Sequence, residues 1–286
     1  MMRRAILMCA GEYEPIPIPV GEKHKSLRSA KAFEYCREDP LVVAVDGGLP
    51  RLLAQGIMPD LVLGDFDSLE DRFRPYLDEF EAVHPGCLLR LPCEKDDTDT
   101  IYAARMCLQR GCREILFYGA LGGRLDHTVA NLQTLSWLKE EGAEGYLIGK
   151  TTLAAVIGGE TVLLPADYEG TFSLFALDRE VTGVTLKGMK YPLSEVTVTN
   201  TFPVGVSNEV NADTVRGTAS GRASVTVREG LALMILEKSE SEIIRREKRR
   251  AGEKGSLPGA NGESGPVQGA AAMGMPDPSE LERIPL

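Results

Sequence analysis

The sequence contains no apolar run near the roughly 20 residues that a membrane-spanning helix requires. Its amino-terminal apolar stretch, Ala5–Ala10, is shorter than a secretory core of about 7–15 residues. It reads as a first β-strand, and the expected compartment is the cytoplasm. Cysteine is sparse: six in 286 residues, at positions 9, 36, 87, 93, 107 and 112, with no C-x-x-C pair. That argues against a disulfide framework and leaves structural or incidental thiols. Positive charge is also short. Lys and Arg number 32 against 42 Asp and Glu, a net charge of −10. Such a chain lacks the basic face that binds nucleic acid without regard to sequence. Neither nucleic acid nor membrane is expected as a partner. Small phosphorylated substrates remain allowed, because a metal ion inverts the local field of clustered carboxylates. A hydrophobic fraction of 43% suffices for a core and excludes collagen-like, coiled-coil and wholly disordered chains.

The first half alternates apolar runs with helix-like segments. Arg4–Cys9, Leu41–Val45, Leu61–Leu63, Leu88–Leu91, Glu114–Tyr118 and Tyr146–Ile148 read as strands. Ser26–Arg37, Pro50–Gln55, Thr98–Arg110 and Asp126–Glu140 read as helices, the last two stopped by Gly111 and Gly142. Thr98–Arg110 has Ile101, Ala104 and Leu108 on one face, and Asp126–Glu140 has Val129, Leu132 and Leu135. Strands separated by helices predict an α/β fold, a mostly parallel sheet with flanking helices. From about Gly149 short strand-like runs follow one another, among them Glu195–Thr199 and Ala223–Arg228. Arg228–Leu231 reads as a hairpin turn. This part is expected to be a small all-β sandwich. Residues 239–286 hold seven Gly and five Pro and read as a disordered tail. The expected domains are therefore 1–148, 149–238 and the tail 239–286.

Four places in the first half carry unusual chemistry, each at or near the end of an expected strand. Val45-Asp46-Gly47-Gly48 puts an acid and a sharp turn at a strand end. Gly64-Asp65-Phe66-Asp67-Ser68 spaces two carboxylates by two, so extended backbone points both one way. Converging carboxylates repel unless a cation lies between them, and oxygen-only donors suit Mg²⁺. Taken alone, the first is more often an ordinary turn, whereas the second is less readily explained as one. Lys95-Asp96-Asp97-Thr98-Asp99 precedes a helix. Asp96 and Asp99 share a face there, although first-turn acids and a Thr cap also serve the helix itself. Gly119-Ala-Leu-Gly122-Gly123-Arg124-Leu-Asp126-His127 is a Gly-rich turn entering a helix, with free N–H groups for phosphate and an arginine fork. It fits neither the Walker nor the dinucleotide fingerprint. Asp126 could be a metal ligand or the cap, and His127 a phosphate contact or an ordinary first-turn residue. Acids for a cation plus donors for phosphate form the layout of phosphoryl-type transfer.

These motifs, in this order, resemble the thiamine pyrophosphokinase family. So does Gly205-Val-Ser207-Asn208-Glu209. The resemblance covers roughly residues 4–237. It implies an α/β domain that binds ATP, a β-sandwich that binds thiamine, and a homodimer with the active site shared between subunits. It implies Mg²⁺-dependent transfer of diphosphate from ATP to the thiamine hydroxyl, with AMP leaving. By the same resemblance Asp65, Asp67 and Asp99 are the metal ligands, with Asp96 nearby and Asp126 also catalytic. Asp46, Gly47, Lys95, Gly122, Gly123, Arg124 and His127 line the substrate and ATP side. Ser207 and Asn208 meet the thiamine pyrimidine from the partner. Leu49-Pro50 departs from the Ala-Asn that often follows Asp-Gly-Gly. The only tryptophan, Trp137, falls on a first-domain helix, so no stacking partner for thiamine is assigned. Three other readings stay open from the motifs alone. One is a pterin-directed pyrophosphokinase. Another is a phosphatase of the haloacid-dehalogenase type, using Asp65-Phe-Asp67. The last is a nucleotide sensor without catalysis.

Overall fold

A computed structural model describes residues 3–11, 16, 40–67, 69–92, 97–164 and 168–237. The expected helix Ser26–Arg37, the residues Ser68, Lys95 and Asp96, and the tail 239–286 lie outside these.

The parallel part forms first along the chain. Strands β1 (Arg3–Met8), β2 (Leu41–Val45), β3 (Leu61–Gly64), β4 (Leu88–Arg90), β5 (Cys112–Tyr118) and β6 (Glu144–Ile148) pair in parallel in the order β6-β5-β1-β2-β3-β4. β2 is buried along its whole length, as a strand covered on both faces must be. Helices α1 (Leu49–Ala54), α2 (Arg74–Val83), α3 (Asp99–Gln109) and α4 (Leu125–Glu140) connect these strands. The sequence pattern had not signalled α2. Its apolar contribution is small, with only Leu77 and Phe80 buried.

The buried faces of two helices differ from expectation. α3 buries Thr100, Ala103, Ala104 and Cys107, not the face of Ile101 and Leu108. α4 buries Asn131, Thr134, Leu135 and Leu138, while Val129 is exposed. Small and polar residues sit inside because Asn131 donates to the Ala120 carbonyl at 2.8 Å and Thr134 to Ala130 at 3.0 Å. A buried polar group with its partner in place costs little. The four described cysteines, at 9, 87, 107 and 112, are buried free thiols. Trp137 packs against the core with Arg105 over its ring.

The second half supplies strands to two sheets. β7 (Thr152–Ile157), β9 (Gly170–Ala176), β12 (Asn208–Val210) and β14 (Ala232–Glu237) extend the first sheet to ten strands by antiparallel pairing, in the order β12-β9-β14-β7-β6. β8 (Glu160–Leu163), β10 (Glu180–Lys187), β11 (Leu193–Thr199) and β13 (Ser224–Val227) make a separate antiparallel sheet. Buried residues of both sheets belong to one hydrophobic cluster. Arg228–Leu231 is therefore not a hairpin turn, since β13 and β14 lie in different sheets. The local pattern of β13, Ser224-Val-Thr-Val, alternates in burial as expected, but alternation does not say which sheet a strand joins. The short strand β12 and the helix α5 (Ala212–Val215), capped by Asn211, were not legible in the sequence.

Backbone packing at the carboxyl-terminal ends of the parallel strands leaves no room for side chains. A Cβ on Gly48 would lie 1.8 Å from the Met8 carbonyl oxygen. Gly48→Ala should therefore destabilise the protein by about 1–3 kcal/mol, as overpacking does. A lower urea midpoint with unchanged slope would report it, and an unchanged midpoint would show that the turn adapts.

Candidate active site

The strand order reverses at β1. The chain steps outward through β2, β3 and β4, then returns to place β5 on the other side of β1. In open α/β sheets the crevice at such a point, beyond the carboxyl ends of the strands, binds ligands. Three of the four acidic or Gly-rich motifs follow β2, β3 and β5 directly, and the fourth leads into α3.

After β2, Asp46 takes a left-handed backbone (φ 47°), which Asp tolerates better than most residues. Gly64, which ends β3, lets the next loop come against it: a Cβ there would be 2.9 Å from the Asp46 Cα. The two carboxylates after β3 converge by a different route from the one expected. The backbone is not extended. Phe66 is left-handed (φ 57°) and buried, so the chain kinks around an inward-facing ring. The Asp67 N–H donates to the Asp65 carboxylate at 3.3 Å. Burial of Phe66 holds a conformation that a bulky residue otherwise avoids.

The result is three carboxylates, Asp46, Asp65 and Asp67, with an oxygen of each within 4.8 Å of the others. Asp46 and Asp65 are partly buried and Asp67 is exposed. The Asp46 carboxyl is pushed above its ordinary range, first by burial and then by the charges of Asp65, Asp99 and Asp67. Asp99 thus faces the same cluster from the first turn of α3, although its carboxylate is not among the three that converge. Thr98 caps α3 by accepting from the Ile101 N–H at 3.3 Å. Asp97 is used by Arg105, with which it forms an ion pair. The Asp97-Thr98-Asp99 run thus divides its work: one residue anchors, one caps and one faces the cluster. The Cys9 thiol, buried beside them, is pushed up to about 12 by its burial and is not an available nucleophile.

The loop after β5 is bound to the end of β1. Cys9 N–H donates to the Tyr118 carbonyl at 2.8 Å and Gly11 N–H to Gly119 at 2.7 Å. Gly122 and Gly123 are both left-handed. Arg124 does not stand open: its guanidinium forks onto Asp126 at 3.1 and 2.6 Å, both groups being exposed. The guanidinium holds the Asp126 carboxyl at about 2, and His127 is exposed.

Ser207 and Asn208 lie elsewhere. The pairing register runs Asn208–Phe172–Leu236–Leu153–Ile148–Tyr118–Met8. Asn208 is thus level with the carboxyl-terminal end of β1, but six strand spacings away, roughly 29 Å along the sheet at about 4.8 Å per step. Asn208 is buried, and its carboxamide is engaged by its own chain. Its oxygen accepts from the Tyr191 and Glu209 N–H groups, each at 2.9 Å, and its nitrogen donates to the Tyr191 carbonyl at 2.8 Å. Ser207 is exposed and left-handed (φ 57°).

Comparison with known proteins shows two matches in order along this chain. Residues 33–147 match the family model of the thiamin pyrophosphokinase catalytic domain. Residues 161–220 match the thiamin pyrophosphokinase vitamin B1 binding domain.

The chain belongs to the thiamine pyrophosphokinase family.

The acidic cluster and the loop after β5 fall inside the first matched range, and Ser207 and Asn208 inside the second. Thiamine pyrophosphokinase of Bacillus subtilis (strain 168) is 28% identical over 203 residues, covering 70% of this chain and 89% of that protein. The crystal structure of thiamin pyrophosphokinase from Geobacillus thermodenitrificans is 26% identical. That similarity covers 85% of this chain and 100% of the other, with a TM-score of 0.59. The yeast enzyme, 18% identical, has the same fold at a TM-score of 0.62 over 85% of this chain and 89% of its own. This membership decides against the phosphatase reading, which in any case needs Asp65-Phe-Asp67 near the first strand. Here that motif follows β3.

The crowding of acids predicts a pH effect on the metal-free protein. The folded Asp46 carboxyl binds its proton more tightly than the unfolded one. Its contribution to stability is therefore fully present below the ordinary value of 3.8 and is lost as pH rises through the folded value. Asp46→Asn, melted in EDTA across that range, should match wild type at the acid end. It should become the more stable protein as pH rises. Parallel curves for the two proteins would show that the carboxylates do not repel.

Proposed function

We propose that this chain transfers diphosphate from ATP to the hydroxyl of thiamine, giving thiamine diphosphate and AMP. The observation that carries this reading is the pair of family matches, catalytic and B1-binding, in order on one chain. In the reaction the thiamine hydroxyl oxygen forms a bond to the β-phosphorus. The bond from that phosphorus to the oxygen bridging it to the α-phosphate breaks, AMP leaves, and the hydroxyl proton is released.

The oxygen-only donor set suits a hard divalent cation, and the cation we propose is Mg²⁺. Asp65 and Asp67 would hold it. Asp99 is the third ligand suggested by the resemblance to the family, and Asp46 is the third acid that converges here. Bound there, Mg²⁺ would neutralise charge on the phosphates. Asp46, Gly47 and the turn after β5 line the nucleotide side. In that turn the left-handed Gly122 and Gly123 keep side chains away from the approaching phosphates. Arg124 would exchange its fork on Asp126 for a phosphate, leaving Asp126 to the cation and His127 at the rim. Lys95 and Asp96 belong to the same proposal. With no nucleic-acid or membrane partner invoked, the working compartment is the cytoplasm.

The domains we propose are residues 1–148 for ATP and the metal, and 149–238 for thiamine, followed by the tail. Ser207 would meet the thiamine pyrimidine, with Asn208 beside it. Because some 29 Å of sheet separates them from β1 by the strand spacing above, the thiamine side of each site would come from a second copy. A symmetric homodimer brings two such pairs together at once.

Incubation with ATP, Mg²⁺ and thiamine should yield AMP and thiamine diphosphate in equal amounts by phosphorus NMR, and Asp67→Asn should abolish both while remaining folded. ADP with thiamine monophosphate would overturn the reading. The shared site has its own test. Chains carrying Asp67→Asn and chains blocked by Ser207→Trp are unfolded together and refolded. Random pairing of a symmetric dimer makes half the dimers mixed, each with one intact site, so about a quarter of wild-type activity should return. A mixture verified to contain mixed dimers yet still inactive would mean that each chain binds thiamine alone.

A further inference from the structure

Three carboxylates, of Asp46, Asp65 and Asp67, converge at the ends of β2 and β3, and the charge of Asp99 at the start of α3 also reaches Asp46. A triphosphate would add about four more negative charges near neutral pH, and a single divalent ion cannot balance both. A fixed cation beside the acids would offset part of that charge. Arg124 forks onto Asp126. Arg90 lies between Asp78 and Glu81, and Arg105 pairs with Asp97.

Arg51 stands on α1, just after the turn that follows Asp46. The turn Asp46-Gly47-Gly48 runs into Leu49, fully buried, and Pro50, which has no polar side chain. Arg51 is therefore the first charged side chain beyond Asp46. Its backbone position is fixed from several directions. Gly48 lies against the Met8 carbonyl. The Arg51 carbonyl accepts from Gln55 Nε2 at 3.0 Å, and Gln55 Oε1 in turn accepts from the Ile16 N–H at 2.7 Å. The half-buried guanidinium donates from Nη1 to the Cys9 carbonyl at 3.5 Å, at the carboxyl end of β1. The Cys9 thiol lies 4.0 Å from the Thr100 hydroxyl, one residue beyond Asp99 on α3, so the guanidinium sits in the same neighbourhood as the acids.

We propose that Arg51 binds the phosphate oxygens of the nucleotide from the β1–β2 side of the site. This rests on reading the site as one for ATP. A guanidinium matches phosphate with two parallel hydrogen bonds, which an ammonium does not. The loop that lacks a polar side chain at positions 49 and 50 thereby supplies one a residue later.

Calorimetric titration of ATP and of adenosine, with Mg²⁺ present and thiamine absent, tests this apart from turnover. Arg51→Gln should bind ATP at least tenfold more weakly than wild type while adenosine binding stays within twofold. Equal weakening of both ligands, or ATP binding within twofold of wild type, would overturn the assignment to phosphate. If Arg51→Gln does not fold, Arg51→Lys decides by kinetics. The KM for ATP should rise severalfold with the KM for thiamine unchanged, and an unchanged KM for ATP would overturn the assignment. Wild-type protein that binds no ATP would instead overturn the reading of the site itself.

Discussion

Like charges do not gather unless something holds them, and the structure depends on how this is done. The acids of the site sit on loops, yet the loops cannot drift apart. Gly48 packs onto the backbone of β1, Gly64 onto the backbone of Asp46, and Gly119 onto Cys9 and Gly11. Each contact is closer than any side chain permits. The buried ring of Phe66 fixes the kink that brings Asp67 beside Asp65. Repulsion among the carboxylates is thus borne by a core that extends to the strand ends. What is gained is a site organised before any ligand arrives, so little reorganisation opposes binding.

The same sheet that supports this cluster continues without interruption into the second half of the chain. β6 and β7 pair antiparallel, and the register carries across three further pairings to Asn208. One consequence is mechanical: the acidic cluster and the Ser207 turn are level on one rigid edge. The other is geometric: they are held too far apart to meet. Asn208, buried and bonded to Tyr191 and Glu209, keeps that far turn in shape from within, while Ser207 faces outward.

Much of this was legible locally. The apolar runs marked all six parallel strands to within a few residues, because strands buried on both faces leave little room for polar residues. The acids and glycines were legible because few structural duties ask for so many at strand ends. α2 escaped because its apolar face is only two residues deep. β12 escaped because a three-residue edge strand carries no periodicity. The faces of α3 and α4 were misjudged because burial there follows hydrogen bonding and small size rather than hydrophobicity.

The sequence by itself determined the composition of the site, the parallel character of its supports and the family to which the motifs point. Such features depend on residue type and short spacing, which local physics fixes. Tertiary structure alone decided which acids converge, since that rests on a left-handed Phe66 held by burial. It decided that β13 and β14 part into different sheets, because alternation marks a face and not a partner. It also decided that the Ser207 turn lies six strand spacings from β1 and further still from the cluster, because distance along a sheet is set by pairing order, which no stretch of sequence encodes on its own.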